Sequence, residues 1–223
     1  MRNEITAIEA LKNLKLGNFR FANNMSINQN LMTQVKVTKD KQEPFAAILS
    51  CMDSRVSSEL IFDLGIGDVF SLRIAGNIVT EGILGSLEYA TGVVGTNLIV
   101  ILGHTNCGAI KGACDQVKYG NLTGLLNKIQ PAIDQVTDIT GERNSTNKAF
   151  VDQVTENNVK NCVHSILEHS PVIKELIESG DVGIVTGIYD VSTGKITFDV
   201  ENALIKHDDL VAAATVSFGD QFI

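Results

Sequence analysis

Along the first two dozen residues, Ile5, Ile8, Leu11 and Leu14 recur at helical spacing, with Phe19 and Phe21 following, which predicts an amphipathic helix over residues 4–24. Residues 25–43 are polar, rich in Asn, Gln and Lys, and read as a loop. From Pro44 the pattern changes to short apolar runs separated by amphipathic pieces. Residues 45–50, 68–74 and 97–102 read as strands, with helices expected at 57–64, 81–92 and 107–118. Two further helices are expected at 122–139 and 147–168, with Gly141 as the break between them. Residues 182–190 and 195–200 predict a strand pair joined around Ser192, Thr193 and Gly194, a hairpin signal. Strands alternating with helices imply βαβ units. The expected fold is α/β: a central, mostly parallel sheet flanked by helices, behind an amino-terminal helical arm. With no repeat or linker in view, residues 1–223 read as one domain, 1–43 forming the arm and loop and 44–223 the core.

Composition narrows the class of protein. Hydrophobic residues are 44% and charged residues 20% of the chain, with a mean hydropathy of +0.12, which suits a soluble protein with a real core. The net charge is −8 and no basic block exists to displace counterions from phosphates, so neither nucleic acid nor an anionic membrane is an expected partner. The apolar stretch 83–103 is broken by Glu88, Thr91, Gly92, Gly95, Thr96 and Asn97, short of the run of about 18 apolar residues that a span needs. The amino terminus has no apolar signal core, and Cys51, Cys107, Cys114 and Cys162 do not suggest a disulfide scaffold. Free thiols or metal ligands in a reducing, cytoplasmic setting fit these features.

Candidate chemistry lies where two predicted strands end. The first runs into Cys51-Met52-Asp53-Ser54-Arg55 and the second into His104-Thr105-Asn106-Cys107-Gly108. In an open parallel sheet, ligands bind at the carboxyl ends of strands. If the two strands are neighbours, Cys51, His104 and Cys107 converge as two thiolates and an imidazole, a donor set suited to zinc, with one coordination position left open. Cys107 would also begin a helix, where the dipole is expected to lower its thiol pKa. Cys114 and Cys162 read as core, and His164, His169 and His207 as solvent-facing. Leu64-Gly65-Ile66-Gly67 lacks the third glycine of a dinucleotide loop and precedes a strand, so no nucleotide cofactor is expected.

The run C-x-D-S-R-V at residues 51–56, followed by G-H-x-x-C-G at 103–108, resembles the β-class carbonic anhydrases. The likeness extends to EALKNLKLGNFRF in the first helix, RIAGNI at 73–78, GSLEYA at 85–90 and GIYDVSTGKI near the carboxyl end. The resemblance implies one zinc ion per subunit held by Cys51, His104 and Cys107, with Asp53 and Arg55 as a catalytic dyad. The fourth zinc position holds water in the active form of such enzymes, and in some members the aspartate, here Asp53, takes it. It also implies a homodimer or a dimer of dimers, with the first helix embracing its partner. The implied reaction is reversible hydration of carbon dioxide to bicarbonate and a proton, by zinc hydroxide oriented by Asp53 and Arg55. Carbon disulfide or carbonyl sulfide hydrolysis, and a non-catalytic zinc or bicarbonate-binding role, are the alternatives. Plant-like members carry a bicarbonate-contacting glutamine where Gly65 stands here, which leaves open how this chain holds the product anion.

Zinc lowers the pKa of bound water from about 15.7 toward about 7. Two thiolates offset the metal's charge, so the acidification is expected to be weaker than at a three-imidazole site and activity to rise toward alkaline pH. Arg55, two residues after Asp53, is suited to a bidentate pair that keeps the carboxylate ionised, which a lysine could not match.

Overall fold

The computed structural model describes residues 5–206. Its centre is a five-stranded sheet of order β2-β1-β3-β4-β5, made of β1 (Ala46–Ser50), β2 (Val69–Arg73), β3 (Leu98–His104), β4 (Gly183–Tyr189) and β5 (Ile196–Leu204). The first four strands are parallel and β5 returns antiparallel to β4. Strands β1 and β3 are mostly apolar and buried at every position because both faces are covered. Alternate residues serve opposite faces. Ile48, Leu98, Val100 and Leu102 pack toward α1 (Ala7–Ala22) and α3 (Ser58–Ile61). Leu49, Ile99 and Ile101 pack toward α4 (Glu81–Glu88), α8 (Lys148–His169) and α9 (Pro171–Glu178).

Helix α1 begins at a capping box, in which Thr6 Oγ1 accepts from Glu9 N at 3.3 Å and Glu9 Oε2 accepts from Thr6 N at 2.8 Å. Its Ile8, Leu11 and Leu14 are buried against the chain's own sheet. Near its end, Asn18 fixes the helix to the hairpin after β4: its Nδ2 donates to Gly194 O at 2.8 Å, and its Oδ1 accepts from Ile196 N at 2.9 Å.

Several elements depart from the sequence-based expectation. Residues 25–43 include α2 (Leu31–Thr38), started by the Asn30 side chain accepting from Thr33 N; none of its residues is buried, so no apolar stripe announces it. The helix expected over 122–139 is broken into α6 (Gly120–Leu126), a 3₁₀ turn at Asn127–Ile129 and α7 (Gln130–Asp134). Pro131 lies in the first turn of α7; it lacks an N–H and restarts the helix instead of continuing it. The helix expected over 81–92 stops at Glu88 and passes into a wide turn at Tyr89–Val94, closed by Gly95 at φ +90°. The helices expected at 57–64 and 107–118 are shorter: α3, and α5 at Gly108–Cys114. Helix α9 was not expected at all. Among the described residues, no helix is long and apolar enough to cross a membrane.

Candidate metal centre

Strands β1 and β3 pair directly, Ser50 opposite Leu102, so the residues that follow β1 stand beside the last residues of β3. Cys51 is the first residue after β1, His104 the last of β3, and Cys107 the N-cap of α5. The crossing from His104 to Cys107 is made in three residues because Asn106 takes a left-handed φ of +58°. All three side chains are buried, and their ligand atoms lie within 4.8 Å of one another, with Cys51 Sγ and Cys107 Sγ 3.9 Å apart.

The donor set fits zinc on its own chemistry. His104 is fully buried; its Nδ1 lies 2.9 Å from Thr105 O, which leaves Nε2 as the free ring nitrogen. That Nε2 is buried without a protein hydrogen-bond partner, as a metal-ligating nitrogen should be before it meets its metal. In the metal-free chain the thiols behave as a pair. Cys107, hydrogen-bonded to Cys51 and buried, has its thiol pushed up. The Cys51 thiol is pulled down, chiefly by its hydrogen bond with Cys107. Amides at Ala109 and Ile110 pull Cys107 downward, as its place at the helix start predicts, against burial and the neighbouring sulfur.

Asp53 lies beside this cluster and outside it. Arg55 Nε donates to Asp53 Oδ1 at 2.9 Å, Arg55 Nη2 donates to Oδ2 at 2.8 Å, and the Arg55 backbone N–H adds a third bond to Oδ1 at 3.0 Å. The guanidinium holds the carboxyl well below the usual carboxylate range. The Asp53 side chain is 17% exposed and that of Arg55 46%.

The loop carrying Cys51 and Asp53 is held from β2. Arg73, its last residue, donates through Nε to Cys51 O at 3.2 Å and through Nη2 to Asp53 O at 2.6 Å. Beyond it, Gly76 N donates to Cys51 Sγ at 3.4 Å. Residue-type reasoning passed over these supports, although RIAGNI belongs to the recognised pattern. Asn158 on α8 was also missed; an asparagine between Val154 and Cys162 on a core-facing helical stripe was its signal. Cys114 and Cys162 are buried, and His164 and His169 are exposed, as expected; His207 lies outside the described residues.

A family model described as carbonic anhydrase matches residues 46–196. Carbonic anhydrase 2 of Mycobacterium tuberculosis is 33% identical over 194 residues, covering 84% of this chain and 90% of that protein. The carbonic anhydrase of Mycolicibacterium smegmatis is 31% identical over 196 residues, covering 85% and 91%. Among solved structures, the β-carbonic anhydrase CcaA aligns with a TM-score of 0.64 at 25% identity, over 86% of this chain and 92% of its own. The β-carbonic anhydrase CafA of Aspergillus fumigatus shares the fold with a TM-score of 0.67 at 24% identity, over 82% and 88%. With two thirds of its length inside the family model and strand ends that gather two thiols and an imidazole, the chain belongs to the β-class carbonic anhydrases.

Proposed function

We propose that the protein interconverts carbon dioxide and bicarbonate at a zinc ion held by Cys51, His104 and Cys107. The carrying observation is the buried Cys-His-Cys cluster with an ionised, arginine-paired carboxylate two residues after Cys51. When bound, zinc supplies a water acidified enough to act as a nucleophile near neutral pH. Everything else falls to the chain's own residues. Asp53 accepts a hydrogen bond from the attacking oxygen and aims its lone pair at the substrate carbon, an orientation effect. Arg55, by donating to both carboxylate oxygens, keeps Asp53 charged and fixes its orientation. The proton released in each hydration leaves to solvent.

Carbon dioxide is preferred over carbon disulfide or carbonyl sulfide because the named relatives are carbonic anhydrases. A purely structural zinc would have no use for Asp53 and Arg55 beside it. A homodimer, or a dimer of dimers, fits the exposed apolar side chains of α2 and the segment before it, Ile27, Met32 and Val37 among them. One related structure, from Sordaria macrospora, is described as tetrameric. Four free cysteines fit a reducing cytoplasm.

The test is stopped-flow carbon dioxide hydration by metal-quantified protein, scanned upward from neutral pH. Turnover should track zinc occupancy and rise with pH. A fully zinc-loaded protein without turnover at any pH would overturn the reading.

A further inference from the structure

Outside the ligands themselves, a short turn after β2 touches the metal cluster. Its Gly76 N donates to Cys51 Sγ at 3.4 Å. The turn is held in an uncommon shape, with Gly76 at φ +69° and Asn77 at φ +44°. A Cβ on Gly76 would come within 3.0 Å of Ile129 Cδ1 and 3.3 Å of Ala109 Cβ, and a left-handed non-glycine residue such as Asn77 costs energy unless its surroundings enforce it.

Helix α8 supplies that enforcement. Asn158, 3% exposed, donates through Nδ2 to Gly76 O at 2.9 Å. One turn on, the Cys162 thiol donates to Asn77 O at 3.3 Å, and Asn77 Nδ2 lies 3.9 Å from Cys162 Sγ. Residues four apart share one face of a helix, so a single stripe of α8 grips both residues of the turn. Burying an amide in this core is costly unless it is bonded, and the Asn158 amide bonds to the residue whose N–H meets the Cys51 sulfur.

We propose that Asn158 is a positioning residue for the metal centre, acting through Gly76 to keep an N–H···S hydrogen bond on Cys51, with Cys162 steadying the other end of the turn. The inference rests on Cys51 being a zinc ligand. An N–H donated to a ligating sulfur favours the thiolate, the form that binds metal, so losing it weakens the site and changes the sulfur–metal bond even when the three ligands remain. Outer supports of this kind typically change metal affinity by about 10–100-fold.

The test uses the full chain in its metal-loaded form. Zinc affinity is measured by chelator competition for the unsubstituted protein, for Asn158→Leu and for Asn158→Asp, whose carboxylate keeps the shape but has no amide to donate. Ile166→Val, a buried methyl deletion two turns further along α8, controls for general loosening of the helix. We expect both Asn158 variants to bind zinc about 10-fold or more weakly. Their cobalt-substituted forms should show a shifted sulfur-to-cobalt charge-transfer band, while Ile166→Val keeps both affinity and band. Unchanged affinity and band in folded Asn158 variants would overturn the proposal. Should both variants fail to fold, cadmium-113-loaded unsubstituted protein decides: a through-bond coupling between the Gly76 amide proton and the metal supports it, and its absence overturns it. Failure of the unsubstituted protein to bind zinc at all would instead overturn the metal assignment, and this inference with it.

Discussion

Asp53 and Arg55 are two residues apart and joined by three hydrogen bonds, so the carboxylate has little freedom to tilt. Asp53→Ala should therefore leave zinc content near normal, since no ligand is touched, and lower turnover by about 100-fold, the scale on which misorientation of a reacting group acts. Metal analysis beside stopped-flow hydration checks both halves. Arg55→Lys should also lower turnover, because a single ammonium cannot meet both oxygens. The cysteine and histidine positions were legible because few reasons other than metal place two thiols and an imidazole at adjoining strand ends. The sharing of protons between the thiols was not legible, because it depends on a 3.9 Å separation that spacing cannot supply. A different acid responds to pH at the hairpin after β4. Asp190 accepts from Ser192 N at 2.9 Å and from the Ser192 and Thr193 hydroxyls, which holds its pKa down to about 2. An unfolded aspartate titrates near about 3.9, so Asp190 adds stability fully above that range and loses it as pH falls toward 2. In metal-free protein, the thermal midpoint of Asp190→Ala should fall below that of the unsubstituted chain at pH 6, and the gap should close as the pH approaches 2.

At the scale of elements, the site depends on how closely α8 approaches β3. Gly103 precedes His104, and a Cβ there would lie 2.8 Å from Val159 Cγ1 and 2.9 Å from Ile188 Cδ1. Gly103→Ala should push α8 from the sheet and destabilise the fold by about 1–3 kcal/mol, as overpacking does. Urea unfolding measures the loss, and zinc affinity should drop with it because His104 is the next residue. The strand order needed for the site was partly readable: apolar runs ending in polar clusters marked β1 and β3, and only their adjacency awaited the structure. Helix boundaries were harder. In α2 the cap at Asn30 does the work that periodicity does elsewhere, and the helical pattern over 122–139 concealed the break at Asn127–Ile129 and the restart near Pro131.

For the molecule as a whole, the metal is expected to act as a clamp. Its three ligands tie β1, β3 and α5 together, so stripping zinc with a chelator should lower the calorimetric midpoint, and adding zinc back should restore it. The unsubstituted apo-protein should keep its helical far-ultraviolet signal, since the large apolar clusters on the two faces of the sheet contain no ligand residue. The ligands are also far apart along the chain: Cys51 and Cys107 are separated by 56 residues, and the turn that touches Cys51 is gripped by Asn158, a further 82 residues beyond Gly76. A finger-like site with neighbouring cysteines can seize its ion while the chain is still emerging from the ribosome. Here the three candidate ligands stand together only once β1 and β3 are paired. On the proposed zinc assignment, the ion would therefore enter late, and a half-folded chain would offer the cell's metal pool only scattered thiols.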